Sequence, residues 1–122
     1  YRLRAGRLRQ LTRDHSEVEE LIARGELTRE AAEAHPSANV ITRAIGALDG
    51  TETIEVGMSD LRPGDRYLLC SDGLYRVVSD EELADHLASF APDEMCRRLI
   101  SLALARNCSD NVTVICVEFP AR

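Results

Sequence analysis

The order of strand and helix signals constrains this chain more than any other feature of its sequence. Tyr1 and Leu3 alternate with Arg2 and Arg4, Ala5-Gly6 interrupts, and Arg7-Leu8-Arg9-Gln10-Leu11 resumes the polar and apolar mixture. This reads as a hairpin around a Gly-containing turn. Ile54, Val56 and Met58 alternate with Thr53, Glu55 and Gly57, which predicts a half-buried strand. Arg62-Pro63-Gly64-Asp65 is a turn sequence. Tyr67-Leu68-Leu69-Cys70 does not alternate and reads as a strand covered on both faces. Val112-Thr113-Val114-Ile115-Cys116-Val117 is β-branched and strand-like. Strands that follow one another without a helix between each pair favour an antiparallel α+β arrangement over a doubly wound parallel sheet.

Helix signals fill the gaps. Asp14-His15-Ser16-Glu17 predicts a helix start, with Asp14 as cap and Glu17 three residues on. Val18, Leu21 and Ile22 share a face, and Gly25 suits the position just past the end. Thr28 to Glu33 reads as a second short helix stopped by Pro36, and the stretch 18–44 as a charged helical excursion. Ser79-Asp80-Glu81-Glu82 is a capping box opening a helix with Leu83, Leu87 and Phe90 on one side. Pro92 opens another, in which Met95, Cys96, Leu99, Ile100 and Ala103 share a face; it ends near Asn107.

Composition excludes several functions. The length, 122 residues, fits one domain or a piece of one, and 44% hydrophobic residues suffice for a packed core. With 15 basic and 21 acidic residues the net charge is −6, which argues against nucleic acid as a partner. Every basic residue is Arg, which reads as codon bias in a GC-rich genome and points to a bacterial source while saying little about mechanism. The run Val112–Val117 is too short to span a bilayer, no charged-then-apolar leader opens the chain, and the expected setting is cytoplasmic, away from membranes. None of the four cysteines forms a C-x-x-C pair, so reduced thiols rather than a zinc site are expected. A hairpin cut at its first residue, without Met, suggests a piece of a longer protein.

Two motifs carry candidate chemistry. Ser71-Asp72-Gly73 directly follows the strand Tyr67–Cys70, and Ser109-Asp110-Asn111 directly precedes Val112–Val117. Taken singly, each is an ordinary turn. If the two strands are antiparallel neighbours, Asp72 and Asp110 converge at one sheet end. Mg²⁺ or Mn²⁺ takes one or two carboxylates and completes its oxygen shell with water. Gly73 would let backbone or water approach the ion. His15 reads as a structural hydrogen-bonding group, His35 as a solvated loop residue and His86 as helix surface. Arg43 steers an anionic substrate or pairs with a carboxylate, and Asn111 orients Asp110 or caps the turn. No nucleophile, general acid or organic-cofactor residue is assigned.

At these motifs the chain resembles the C-terminal half of a bacterial metal-dependent serine/threonine protein phosphatase of the type 2C (PPM) class. Thr12-Arg13-Asp14-His15-Ser16 resembles the element after the opening hairpin. His35-Pro36 and Asn39-Val40-Ile41-Thr42-Arg43-Ala44-Ile45-Gly46 resemble the element after the flap. Pro63-Gly64-Asp65 with Leu68-Leu69-Cys70-Ser71-Asp72-Gly73-Leu74, and Ser109-Asp110-Asn111-Val112-Thr113-Val114-Ile115, resemble the two metal-bearing elements. The resemblance implies an antiparallel β-sandwich flanked by helices, only its C-terminal part present, with residues 1–122 a portion of one catalytic domain and a flap over about 18–44. It implies two or more Mn²⁺ or Mg²⁺ ions with Asp72 and Asp110 as ligands, and phosphorylated proteins as partners. Phosphoserine or phosphothreonine would be hydrolysed by attack of a metal-bridging water. The family's phosphate-holding Arg, its Glu-Asp pair and its Asp-Gly-His-Gly segment do not occur here, so the isolated chain is expected to be inactive and, with uncovered apolar faces, to self-associate. The alternative is a non-catalytic, phosphatase-like regulatory or binding domain. A free-standing α+β interaction module is a third reading, and it expects Asp72 and Asp110 far apart.

Overall fold

Ala5 (φ 48°) and Gly6 (φ 74°) both take the left-handed region. That two-residue turn folds β1 (Arg2–Arg4) back on β2 (Arg7–Arg9), with Arg4 opposite Arg7. The computed structural model describes residues 1–32, 34–46 and 54–120. Two further strands, β3 (Arg66–Cys70) and β4 (Val114–Glu118), complete a four-stranded sheet in the order β2-β1-β3-β4, antiparallel throughout. The antiparallel α+β arrangement read from the sequence is the one that forms.

Opposite residues of an antiparallel pair share a face, so the register sorts the sheet. Leu68 stands opposite Cys116 and Cys70 opposite Val114. This face carries the core, in which Leu3 and Leu68 pack with Leu74, Val78, Leu83, Leu87, Met95, Leu99 and Ala103. Its helices are α4 (Asp80–Ser89) and α5 (Pro92–Ala105). The capping box at Ser79 and Glu82 and the Pro at the start of α5 are as the sequence predicts. Each large apolar side chain so buried contributes roughly 1.5–3 kcal/mol. The Cys116 thiol, half covered there, is pushed up to about 11 by burial. None of the four cysteines is joined in a disulfide.

The other face is open. Tyr67 stands opposite Val117 and Leu69 opposite Ile115. Leu69 is 55% and Ile115 54% exposed, against 1% for Leu68. The expectation that Tyr67–Cys70 is covered on both faces is therefore corrected: among the described residues, the helices pack on one side of the strand and leave Leu69 on the other side exposed. A second correction concerns Ile54, Val56 and Met58, which are exposed and not in a strand. A strand's N–H and C=O groups need a neighbouring strand, and none among the described residues pairs with this segment. Thr53 and Glu33, included in the expected strand and second helix, lie outside the described residues.

Residues 12–57 form a compact unit distinct from the rest of the chain. In it, α1 (Glu17–Ala23) is capped by Ser16, whose Oγ accepts from Glu19 N at 3.3 Å. The cap lies two residues beyond the expected Asp14. Gly25 (φ 73°) ends the helix as expected, with Glu26 N donating to Leu21 O at 2.9 Å. A single helical turn, α2 (Arg29–Ala32), follows. Glu17 N donates to Val40 O and Thr42 N to His15 O, at 3.0 and 2.9 Å. Among the described residues no helix is long and apolar enough to cross a membrane.

Candidate metal centre

β3 ends at Cys70 and β4 begins at Val114, and these two residues are paired. The chain leaving β3 and the chain entering β4 therefore share one end of the sheet. On the first side, the four-residue helix α3 (Asp72–Tyr75) starts almost at once past the strand. The Asp72 side chain is 40% exposed and pairs with Arg76 one turn on, at 3.2 Å.

On the second side, the approach is set by how α5 stops. Asn107 takes φ 54°, Asn107 N donates to Leu104 O and Cys108 N to Ala103 O, each at 3.1 Å. These paired bonds satisfy carbonyls left free at a helix end and turn the chain away. Arg106 anchors the corner, donating to Val77 O at 2.6 Å and to Glu82 Oε2 at 2.7 Å. Arg106 and, after it, the Ser79 N–H hold the Glu82 carboxyl down at about 2. Asp110 follows, its Oδ1 accepting the Asn111 N–H at 2.7 Å. Asn111 thus orients Asp110 through its backbone, one of the two roles read from the sequence.

The two segments are sewn together beyond the last strand pair. Ser71 N donates to Thr113 O at 3.1 Å. Ser71 Oγ donates to Asn111 O at 3.0 Å and accepts from Thr113 N at 2.9 Å. Cys108 Sγ donates to Gly73 O at 2.9 Å. A Cβ on Gly73 would stand 2.4 Å from Asn111 O. The missing side chain therefore admits a protein carbonyl from the neighbouring segment, a use the sequence did not suggest. Ser71 and Cys108 were also missed. The signal available was only that both flank the carboxylate motifs with small polar groups.

The structure thus brings the segments that carry Asp72 and Asp110 together at one sheet end, where the free-standing-module reading expects these residues far apart. The remaining candidates serve local structure. His15 Nε2 and Arg43 Nη1 lie 3.1 and 3.6 Å from Glu55 Oε1. His15 first, then Arg43, hold the Glu55 carboxyl below its ordinary range. His35 Nδ1 accepts the Ser37 N–H at 3.1 Å. His86 Nδ1 is 2.7 Å from Glu82 O, and its ring lies 5.6 Å from that of Phe90. Asp65, which the sequence did not single out, is buried, accepts from Arg4 Nε at 2.7 Å and from Arg62 N at 2.9 Å. Arg4 chiefly holds its carboxyl well below the usual carboxylate range.

Two solvent-reached carboxylates suit a hard divalent cation that keeps several waters. Among the described residues no group of three or more His, Cys, Asp or Glu converges on one point. The donor set fits Mn²⁺ or Mg²⁺ as part of a ligand shell.

The family model described as Stage II sporulation protein E (SpoIIE) matches residues 21–120. The serine/threonine protein phosphatase PstP of Mycobacterium tuberculosis is 42% identical over 118 residues, 97% of this chain and 23% of that protein. The crystal structure of the M. tuberculosis phosphatase PstP/Ppp superposes with a TM-score of 0.86 at 43% identity, covering 98% of this chain and 50% of that one. The catalytic domain of PstP in complex with 2 manganese ions superposes with a TM-score of 0.79 at 43% identity, covering 95% of this chain and 47% of that one. The chain spans about half the length of these solved domains.

Proposed function

Because this chain belongs to the family described as Stage II sporulation protein E (SpoIIE) and matches serine/threonine phosphatases in sequence and fold, we propose that residues 1–122 are the C-terminal portion of a type 2C phosphatase catalytic domain acting on phosphoserine and phosphothreonine in proteins. The observation that carries this reading is the pairing of Cys70 with Val114, which puts two carboxylates at one sheet end.

In this reading Asp72 and Asp110 are ligands of Mn²⁺ or Mg²⁺. When bound, the ions make a coordinated water more acidic and neutralise charge on the phosphoryl oxygens. Asp72 offers its carboxylate from the first turn of α3, and Arg76 balances its charge. Asp110 is steadied by the Asn111 N–H, so one of its oxygens is already committed to the turn. Residues 18–44 form the flap, which meets phosphorylated protein substrates. The setting is cytoplasmic.

Two carboxylates hold Mn²⁺ or Mg²⁺ loosely. The isolated chain therefore binds these ions weakly and hydrolyses p-nitrophenyl phosphate no faster than buffer containing Mn²⁺. The full-length protein hydrolyses a phosphothreonine peptide when Mn²⁺ is added. Assaying both side by side tests the reading. Turnover by the isolated chain would show that the catalytic groups are misplaced. A folded full-length protein that binds phosphoprotein without hydrolysing it would favour the regulatory alternative.

A further inference from the structure

We infer that Ser71 is a positioning residue of this site: its hydroxyl fixes the spacing of Asp72 and Asp110 by tying together the segments that carry them. The inference rests on the reading of those two carboxylates as metal ligands. It begins from an anomaly at the start of α3. Ser71 occupies the N-cap position with extended backbone, φ −77° and ψ 164°. A serine there ordinarily accepts an N–H from its own helix. Ser16 and Ser79 do so, accepting from Glu19 N and Glu82 N, each at 3.3 Å. Ser71 makes no such bond.

Its hydroxyl spends both of its functions on the opposite segment instead. It donates to Asn111 O at 3.0 Å and accepts from Thr113 N at 2.9 Å. The strand ladder ends at Cys70 and Val114, and past that pair the backbone bond from Ser71 N to Thr113 O is joined by both bonds of the Ser71 side chain. Asp72 directly follows Ser71, and Asp110 directly precedes Asn111. The hydroxyl therefore links the backbone adjoining one carboxylate to the backbone adjoining the other. Gly73, pressed against Asn111 O, and Cys108, bonded to Gly73 O, hold the same seam from the far side. Ligands on separate segments bind an ion well only when their spacing is set beforehand, because freedom lost on binding subtracts from affinity. Groups that orient ligands in this way tune metal affinity without touching the metal.

The test uses the full-length protein and reads Mn²⁺ affinity by electron paramagnetic resonance of the free ion, beside turnover and thermal melting. Ser71→Ala is expected to weaken Mn²⁺ binding about tenfold, the loss of roughly one net hydrogen bond's free energy. KM for p-nitrophenyl phosphate stays unchanged, and kcat recovers when Mn²⁺ is raised to saturation. Ser71→Thr, which keeps the hydroxyl, restores wild-type affinity. Ser71→Val, shaped like threonine but without the hydroxyl, repeats the loss, and this pair decides the matter should the alanine variant fail to fold. Wild-type affinity in Ser71→Val while Asp110→Ala loses the ion would overturn the positioning role, as would equal losses in Ser71→Thr and Ser71→Val. Wild-type affinity in Asp110→Ala would instead overturn the ligand reading, and the inference with it.

Discussion

Cys70 and Val114 face one another as the last residue of β3 and the first of β4. With β3 held in place, a slip of one residue in that register would turn Cys116 out of the core and Ile115 into it. The apolar pattern that buries Leu68 therefore also fixes where Asp72 and Asp110 stand. Core and candidate site are set by the same alignment.

Neighbouring leucines on β3 give the sharpest stability contrast. Leu68→Ala is expected to cost about 2–5 kcal/mol, because it empties a fully buried site. Leu69→Ala in the isolated chain is expected to change stability by about 0.5 kcal/mol or less, because that side chain already meets solvent. If, as the proposed phosphatase fold implies, a second sheet covers this face in the full-length protein, Leu69→Ala there is expected to approach the cost of Leu68→Ala. Urea unfolding of both variants in both forms measures this. An equally small Leu69 effect in the full-length protein would contradict the covered face.

Acid should weaken the anchor of the α5 corner. The Glu82 carboxyl is held at about 2 when folded, against 4.5 ordinarily. The folded state thus binds fewer protons than the unfolded state between those values, and stability falls as pH drops through that window. The contribution is fully present above about pH 4.5 and gone below about pH 2. Thermal midpoints from pH 6 to pH 2 should drop less steeply in Glu82→Gln than in the wild type. Parallel curves would remove Glu82 from the acid response.

Much of this architecture was legible because local signals agreed. Ala5-Gly6, the capping box at Ser79 and Glu82, Pro92 and Gly25 each name a backbone geometry, and each is found. The convergence of Asp72 and Asp110 was legible because both motifs sit at strand edges. Three features were not. Tyr67–Cys70 is apolar for a partner on each face, and sequence does not say which partner this chain itself supplies. Ile54, Val56 and Met58 alternate as a strand does, yet pairing depends on a neighbour rather than on the segment. The seam at Ser71, Gly73 and Cys108 depends on hydrogen bonds between residues distant in sequence, which no spacing encodes.

The open sheet face predicts how the isolated chain behaves. Leu69, Ile115 and Val117 form an exposed apolar group on adjacent strands, and such patches drive association. Light scattering of the 122-residue chain should show dimers or larger species, and Leu69→Asp with Ile115→Thr should shift it toward monomer. A monodisperse monomer before any substitution would contradict this.

Gly73 should tolerate no side chain. A Cβ there meets the backbone oxygen of Asn111 at 2.4 Å, and backbone cannot swing aside as a long side chain can. Gly73→Ala is expected to part the two segments, lowering the melting temperature and weakening Mn²⁺ binding together. A variant with wild-type melting and wild-type Mn²⁺ affinity would show that the seam yields freely.

The most direct measurement is p-nitrophenyl phosphate turnover against Mn²⁺ concentration in the full-length Asp110→Ala variant. Removing a carboxylate proposed to hold the ion should abolish most turnover at every Mn²⁺ concentration the wild type needs. The melting curve should stay unchanged, since Asp110 is exposed and loses only its turn contact with Asn111. Full turnover at wild-type Mn²⁺ concentrations would contradict the assignment of Asp110, and with it the metal centre at this end of the sheet.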